Sequence, residues 1–370
     1  MNVKEYIQNN GRWLLVAALG VAVFCYFLFK LPFLMLAREQ SQLFLWNTDY
    51  LVERLIIPGG LAQYLGEMII QFYLNPLYGA LWYGVLFVIV QMLTYGAFGK
   101  PQKWYFWLLS LVPSVVLVYL WTIIHFPMTL TVAIILALAL ANLVSVLNDK
   151  AQLALLIFLM PVGYWLIGPA IILAIIPYLY NKKHIPFVAG LVVLLVGCVV
   201  LSARLAPYPL AQLTRGVDYY WDDKKLGSYE EMAFDMRIRR NQASQQEMLN
   251  NFSPSTEALR SISTAFSVSD IAMQIGMVNI AQRAAFEAME AAPNYNKSGR
   301  ALRRLVETNL ITGQTEVALK YIAILEQTTF YRGWAERMKQ MAEQPELLNK
   351  HQYYHRLKEI YDNGKDVFFY

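Results

Sequence analysis

Four residues in one short stretch carry groups that could do chemistry. Arg38, Glu39, Asp49 and Arg54 follow closely on the first long apolar run of the chain. A carboxylate in such a place can take the proton of an acceptor hydroxyl, while a guanidinium stabilises a departing phosphate. The same charges also suit a segment that merely has to be wet at a bilayer surface, or one that meets a partner. A second spacing to weigh is His351 and His355, four residues apart, which on a helix can chelate a metal. No carboxylate or thiol stands where a third ligand is needed, so the pair reads as a solvated face. No metal site and no cofactor are expected.

The elements that must position these residues follow from composition. The chain has 370 residues, 57% hydrophobic and only 15% charged, above the soluble norm for the first and below it for the second. Residues 1–206 hold 11 Lys and Arg against 6 Asp and Glu, whereas residues 207–370 hold 20 of each. The whole net charge of +5 therefore belongs to the apolar half, and the neutral second half offers no basic field for nucleic acid. Cys25 and Cys198 both lie in apolar runs, where a thiol acts as a small hydrophobe, and no CxxC site exists.

The first apolar run, residues 13–37, is about 25 residues long, enough for the roughly 20 that cross a bilayer. It is too long for the core of a secretory signal and reads as a retained anchor behind Lys4 and Arg12, with Lys30 snorkelling near its outer end. Further spans are expected over 77–98, 104–124, 128–147 and 185–205. Residues 151–180 contain Pro161, Gly163, Gly168, Pro169 and Pro177 and read as a broken helical hairpin. With that hairpin, Lys4, Arg12, Lys100, Lys103, Lys150, Lys182 and Lys183 lie inside and Lys30, Arg38, Arg54 and Arg204 outside. The bias of seven to four follows the positive-inside rule. The expectation is about seven passes, a cytoplasmic N-terminus and an extracytoplasmic C-terminal domain in the inner membrane. Few ionisable groups other than His125 interrupt the later spans, which disfavours a transporter.

Residues 38–76 then form an external interfacial loop. After the Pro58-Gly59-Gly60 break, Leu61, Leu65, Met68, Ile69 and Phe72 make a helical apolar stripe, predicting a helix along the membrane surface with its polar edge toward water. Beyond Pro207 and Pro209 the apolar runs shorten. The series Gly276, Ala281, Ala285, Ala288, Pro293 resembles the second helix of a TPR repeat, and a second copy runs through Leu302, Leu305, Gly313, Ala318, Ile322 and Leu325. The two glycines are 37 residues apart, against about 34 for that repeat, with residues 294–298 absorbing the excess. Helices over 227–250, 333–343 and 347–361 are expected to complete the stack, with Tyr219, Tyr220 and Trp221 as an interfacial belt and the tail from Val367 to Tyr370 packed on the last helices.

The segments REQSQLFLWNTDYLVERLIIPGGLAQYLGE (38–67) and IGMVNIAQRAAFEAMEAAPNYNKSGRALRRLVETNLITGQTEVALKYIAILEQTTFYRGWA (275–335) resemble a family of uncharacterised Bacteroidota membrane proteins. That resemblance implies several spans followed by a TPR-like domain and carries no activity with it. The expected fold is all-α: a polytopic transmembrane bundle over 1–206 and a soluble TPR-like domain over 207–370. The expected partners are membrane lipids and a protein or peptide held by the repeats, as in an envelope scaffold or assembly factor. The first external loop also looks like that of GT-C type glycosyltransferases using polyprenyl-phosphate-linked sugars. In that alternative Glu39 or Asp49 is the base or metal contact and Arg38 or Arg54 the cation.

Overall fold

The computed structural model describes residues 3–99, 104–124, 126–180, 185–205, 226–291 and 298–364. Lys100, Lys103, His125, Lys182, Lys183, His184, Pro207, Pro209, Pro293, the aromatic run Tyr219 to Trp221 and the tail from Val367 lie outside them. Every regular element among the described residues is helical. The chain divides into two compact units, one of Met1–Pro32 with Thr48–Tyr219, the other of Phe33–Asn47 with Tyr220–Tyr370.

Helix α1 (Val3–Lys30) stops short of the apolar run that encodes it, and α2 (Pro32–Gln40) begins anew. Proline disfavours the helical conformation of the residue before it, here Leu31, so the span ends at the exposed Lys30 rather than at Ala37. After α3 (Thr48–Leu55) and α4 (Gly60–Ile70) come α5 (Pro76–Ala97), α6 (Trp104–Thr122), α7 (Met128–Ser145), α8 (Asp149–Ile167) and α9 (Ile185–Leu205). Among the described residues six segments are long and apolar enough to cross a membrane: Gly11–Lys30, Pro76–Ala97, Trp104–Thr122, Met128–Ser145, Asp149–Leu179 and Ile185–Arg204. Their outward faces are apolar as well, with Val112, Val115 and Tyr119 on α6 and Val193, Val196 and Leu201 on α9 all exposed. These are the features of a helical membrane protein.

Within this unit α1 crosses α5 at Gly20 and Gly84, where a β-carbon on Gly84 would come 2.8 Å from the Gly20 carbonyl oxygen. Such small residues let membrane helices approach closely. Phe27 stacks on Tyr83 with 4.1 Å between ring centroids, and Tyr83 in turn meets Trp121. Two buried polar contacts join neighbouring helices: Trp121 Nε1 donates to Thr131 Oγ1 at 2.9 Å, and Gln91 Nε2 to Ser110 Oγ at 2.9 Å. Gly168 ends α8 with φ 76°, and the chain continues as a 3₁₀ segment, Gly168–Tyr180, packed on α7 and α8. Gly163 makes room for it, since a β-carbon there would lie 2.5 Å from Ile171.

Helix α4 departs from expectation. It packs against α7 and α8, with Gly66 on the backbone of Thr129, and its buried face is Ala62, Gln63, Gly66, Glu67, Ile69 and Ile70. The stripe residues Leu61, Leu65 and Met68 are only half-buried. The polar edge therefore turns inward and not toward water, because its charge has a partner inside, described below.

The second unit holds α10 (Tyr229–Arg239), α11 (Gln245–Asn250), α12 (Ile262–Ile275), α13 (Val278–Ala291), α14 (Gly299–Ile311), α15 (Thr315–Leu325), α16 (Arg332–Glu343), α17 (Pro345–Lys350) and α18 (Gln352–Asp362). The stretch 227–250 is thus two helices, as is 347–361, which breaks at His351. Helix α12 pairs with α13 and α14 with α15, while α13 packs on α14 and α15 on α16, so the hairpins stack in chain order. Gly276 (φ 90°) and Gly313 (φ 81°) occupy the turns within the two hairpins, in the left-handed region that glycine adopts at least cost. Ala281, Ala285 and Ala318 are fully buried. Ala285→Leu is expected to overpack this layer by about 1–3 kcal/mol, read as a lowered midpoint in denaturant unfolding of the chain in detergent. An unchanged midpoint would mean that α13 has slack against its neighbours.

Candidate functional site

The four residues singled out by chemistry divide between the two compact units. Arg38 and Glu39 lie on α2, in the C-terminal unit, whereas Asp49 and Arg54 lie on α3, among the membrane helices. Asp49 is exposed in the first turn of α3, a favourable end for a carboxylate. Arg54 donates through Nε to Glu67 Oε2 at 2.9 Å and lies 4.4 Å over the ring of Tyr50. Glu67 also accepts from the Tyr50 hydroxyl at 2.6 Å and from Gln63 Nε2 at 2.9 Å. Burial opposes the Arg54 charge, but Glu67 and Tyr50 outweigh it and raise its pKa. The Arg54 cation is thus matched by a buried acid, which explains why α4 turns its polar edge inward. The Pro58-Gly59-Gly60 break is tied to α8 by the Gly59 N–H, which donates to the Trp165 carbonyl at 2.8 Å, and by Trp165 Nε1, which donates to the Leu55 carbonyl at 2.9 Å.

In the C-terminal unit a denser set of charges converges. A Ser228–Glu231 capping box starts α10 and brings Asp235 and Arg239, one turn apart, to the same face. Ser261 caps α12, whose Phe266 and Asp270 are likewise one turn apart. Ser298 caps α14, on which Arg300, Arg303, Arg304 and Glu307 follow the i, i+3, i+4, i+7 spacing of one face. Arg300 makes two hydrogen bonds to Asp235, at 2.7 and 2.9 Å, another to Asp270, and one to Gln40 Oε1 at 2.9 Å, with its guanidinium 4.5 Å over Phe266. Arg304 reaches Asp270 and Glu307, both at 2.7 Å. Burial alone would raise the Asp270 carboxyl, but Arg300 and Arg304 hold it down to about 2.

A pocket of about 300 Å³ opens here, lined by Arg239, Asp270, Arg300, Arg303, Arg304 and Glu307. Arg303 lies 4.7 Å over the Trp334 ring of α16. Arg303 Nε and Arg239 Nη1 are buried with no hydrogen-bond partner among the described residues. Burial, and then the neighbouring Arg300, lower the pKa of Arg239. Sequence reasoning passed over this site, although three arginines in five residues, at helical spacing on α14, were the available signal. His351 and His355 are both exposed, and no group of three potential metal ligands occurs among the described residues.

Glu39 is buried beside this site and accepts a hydrogen bond from the Tyr331 hydroxyl at 2.6 Å. Burial raises its pKa despite that bond and the fields of Arg239, Arg300 and Arg303. A carboxyl raised in this way contributes stability that is full below the ordinary carboxylate range and is lost as pH rises through its folded value. Glu39→Gln should therefore gain stability relative to the native chain as pH rises from about 5 to about 8, as thermal midpoints of both would record. A difference that stays constant over that range would show that Glu39 is ionised throughout.

No curated protein and no solved structure matches the chain. A family described as "Family of unknown function (DUF6057)" matches residues 8–236 and 241–370. With nearly the whole sequence covered, the chain belongs to the DUF6057 family.

Proposed function

We propose that the protein is an inner-membrane scaffold or assembly factor of a Bacteroidota cell envelope, displaying a TPR-like domain outside the cytoplasm to bind a protein or peptide partner. One observation carries this reading: the stacked hairpins already hold a non-repeat segment of the chain. Phe33–Asn47 meets the hairpin stack through Gln40 on Arg300, Glu39 on Tyr331 and Asn47 on Gln327, and meets α10 through Phe33 on Tyr229. The Trp46 N–H also donates to the Gln327 carbonyl at 3.0 Å. A surface that engages both the main chain and the side chains of a passing segment is chemically suited to peptide capture. The glycine spacing and the buried alanines of the two hairpins support the TPR-like description. Residues 1–206 form the membrane domain in this reading and 207–370 the soluble one, although Phe33–Asn47 packs with the latter.

The transferase alternative draws less support, because Arg54 is committed to Glu67. The test is photocrosslinking in intact membranes from position 286, on a groove of α13 where Phe286 is exposed beside Arg283 and Glu287. A discrete protein adduct is expected. Adducts with lipid alone, together with loss of glycan transfer in a folded Glu39→Gln variant, would replace the scaffold by the enzyme.

A further inference from the structure

We propose that the arginine-lined pocket between α10, α12 and α14 is a binding site for a phosphoryl group, carried by a soluble phosphate compound or by a lipid phosphate monoester. Two of the four arginines that line the pocket are already matched. Arg300 and Arg304 are committed to Asp235, Asp270 and Glu307 by close ion pairs. Arg239 and Arg303 make no such pair among the described residues, and each buries a nitrogen without an acceptor. A buried donor left without an acceptor is costly, and most buried donors in folded proteins have one.

The two unmatched guanidiniums stand on different helices, α10 and α14, and line the same pocket. A carboxylate is satisfied by one bidentate arginine. A tetrahedral phosphoryl group directs oxygens in several directions and can accept from both arginines at once. Guanidinium suits this role because it is planar and permanently charged and presents fixed donors. Asp270 and Glu307 do not repel the ligand strongly, since Arg304 bridges them and Arg300 also holds Asp270. Burial raises the pKa of the nearby Glu39 carboxyl, which weakens a further opposing charge. The pocket volume of about 300 Å³ admits a phosphoryl group with a few attached atoms.

The test uses the full chain in phosphatidylcholine nanodiscs, titrated calorimetrically with inorganic phosphate over a chloride background. A second set of discs contains phosphatidic acid, with protection of Arg303 from an arginine-selective dicarbonyl reagent as the readout. Saturable binding of phosphate indicates the soluble source, and protection only in phosphatidic acid discs indicates the lipid source. In the calorimetric arm Arg239→Gln and Arg303→Gln should each weaken binding at least tenfold and Arg303→Lys should retain it within a few-fold, while in the phosphatidic acid discs Arg239→Gln should abolish the protection of Arg303. Because neither arginine is ion-paired among the described residues, both glutamine variants should still unfold cooperatively as the ligand-free chain does, which separates loss of binding from loss of fold. Arg283→Gln, outside the pocket, should bind normally. Absence of binding in both arms overturns the proposal, as does equal binding by the glutamine variants, or by acetate in place of phosphate.

Discussion

Replacing Arg300 with methionine is expected to destabilise the C-terminal unit by about 3–5 kcal/mol, the usual loss when one partner of a buried ion pair is removed. Arg300 holds Asp235 and Asp270 together and also donates to Gln40, so its loss strands an acid on α10 and frees α2 from α14. Asp270 keeps Arg304 as a partner, whereas among the described residues the remaining hydrogen bond to Asp235 is the 3.3 Å one from Ser267. Adding Asp235→Leu should return part of the loss, because an apolar pair of similar volume can match a buried ion pair. Hydrogen exchange of α10 and α14 amides in the full chain would record both effects. A cost below about 0.5 kcal/mol for Arg300→Met would mean that the cluster is open to water and behaves as a surface pair.

A loss of similar size, again about 3–5 kcal/mol, is expected for Glu67→Gln in the membrane unit. Three donors converge on that carboxylate, from Tyr50, Arg54 and Gln63. The amide has one acceptor oxygen in place of two and no charge, so Arg54 stays buried without a counterion. The double change Arg54→Met with Glu67→Met should recover much of the stability, measured as thermal midpoints in detergent. Should Glu67→Gln cost nothing while Arg54→Met alone is severe, Arg54 must have another anionic partner.

What the sequence makes legible here is what local pattern controls. Hydropathy finds the long apolar helices, and glycine with small-residue spacing finds the turns at Gly276 and Gly313. Pairings across distance are not legible in the same way. Glu67 reads as the wet edge of an amphipathic helix because its partners Tyr50 and Arg54 lie 17 and 13 residues away, beyond the Pro58-Gly59-Gly60 break. Glu39 reads as the charge of a wet loop because its partner Tyr331 is 292 residues distant. The arginine pocket hides for a related reason. The spacing of Arg300, Arg303 and Arg304 marks a helix face, but nothing local says that Arg239 and Asp270 face it too.

The proposed display of the C-terminal helical unit away from the cytoplasm is tested most directly by a reporter fused after Tyr370 that fluoresces only in the cytoplasm. The cation bias of seven to four across the loops predicts a silent fusion, with activity instead from a reporter that matures only outside the cytoplasm. A strong cytoplasmic signal would contradict the account. It would mean that the segment Asp149–Leu179 crosses once and that the C-terminal helical unit faces the cytoplasm.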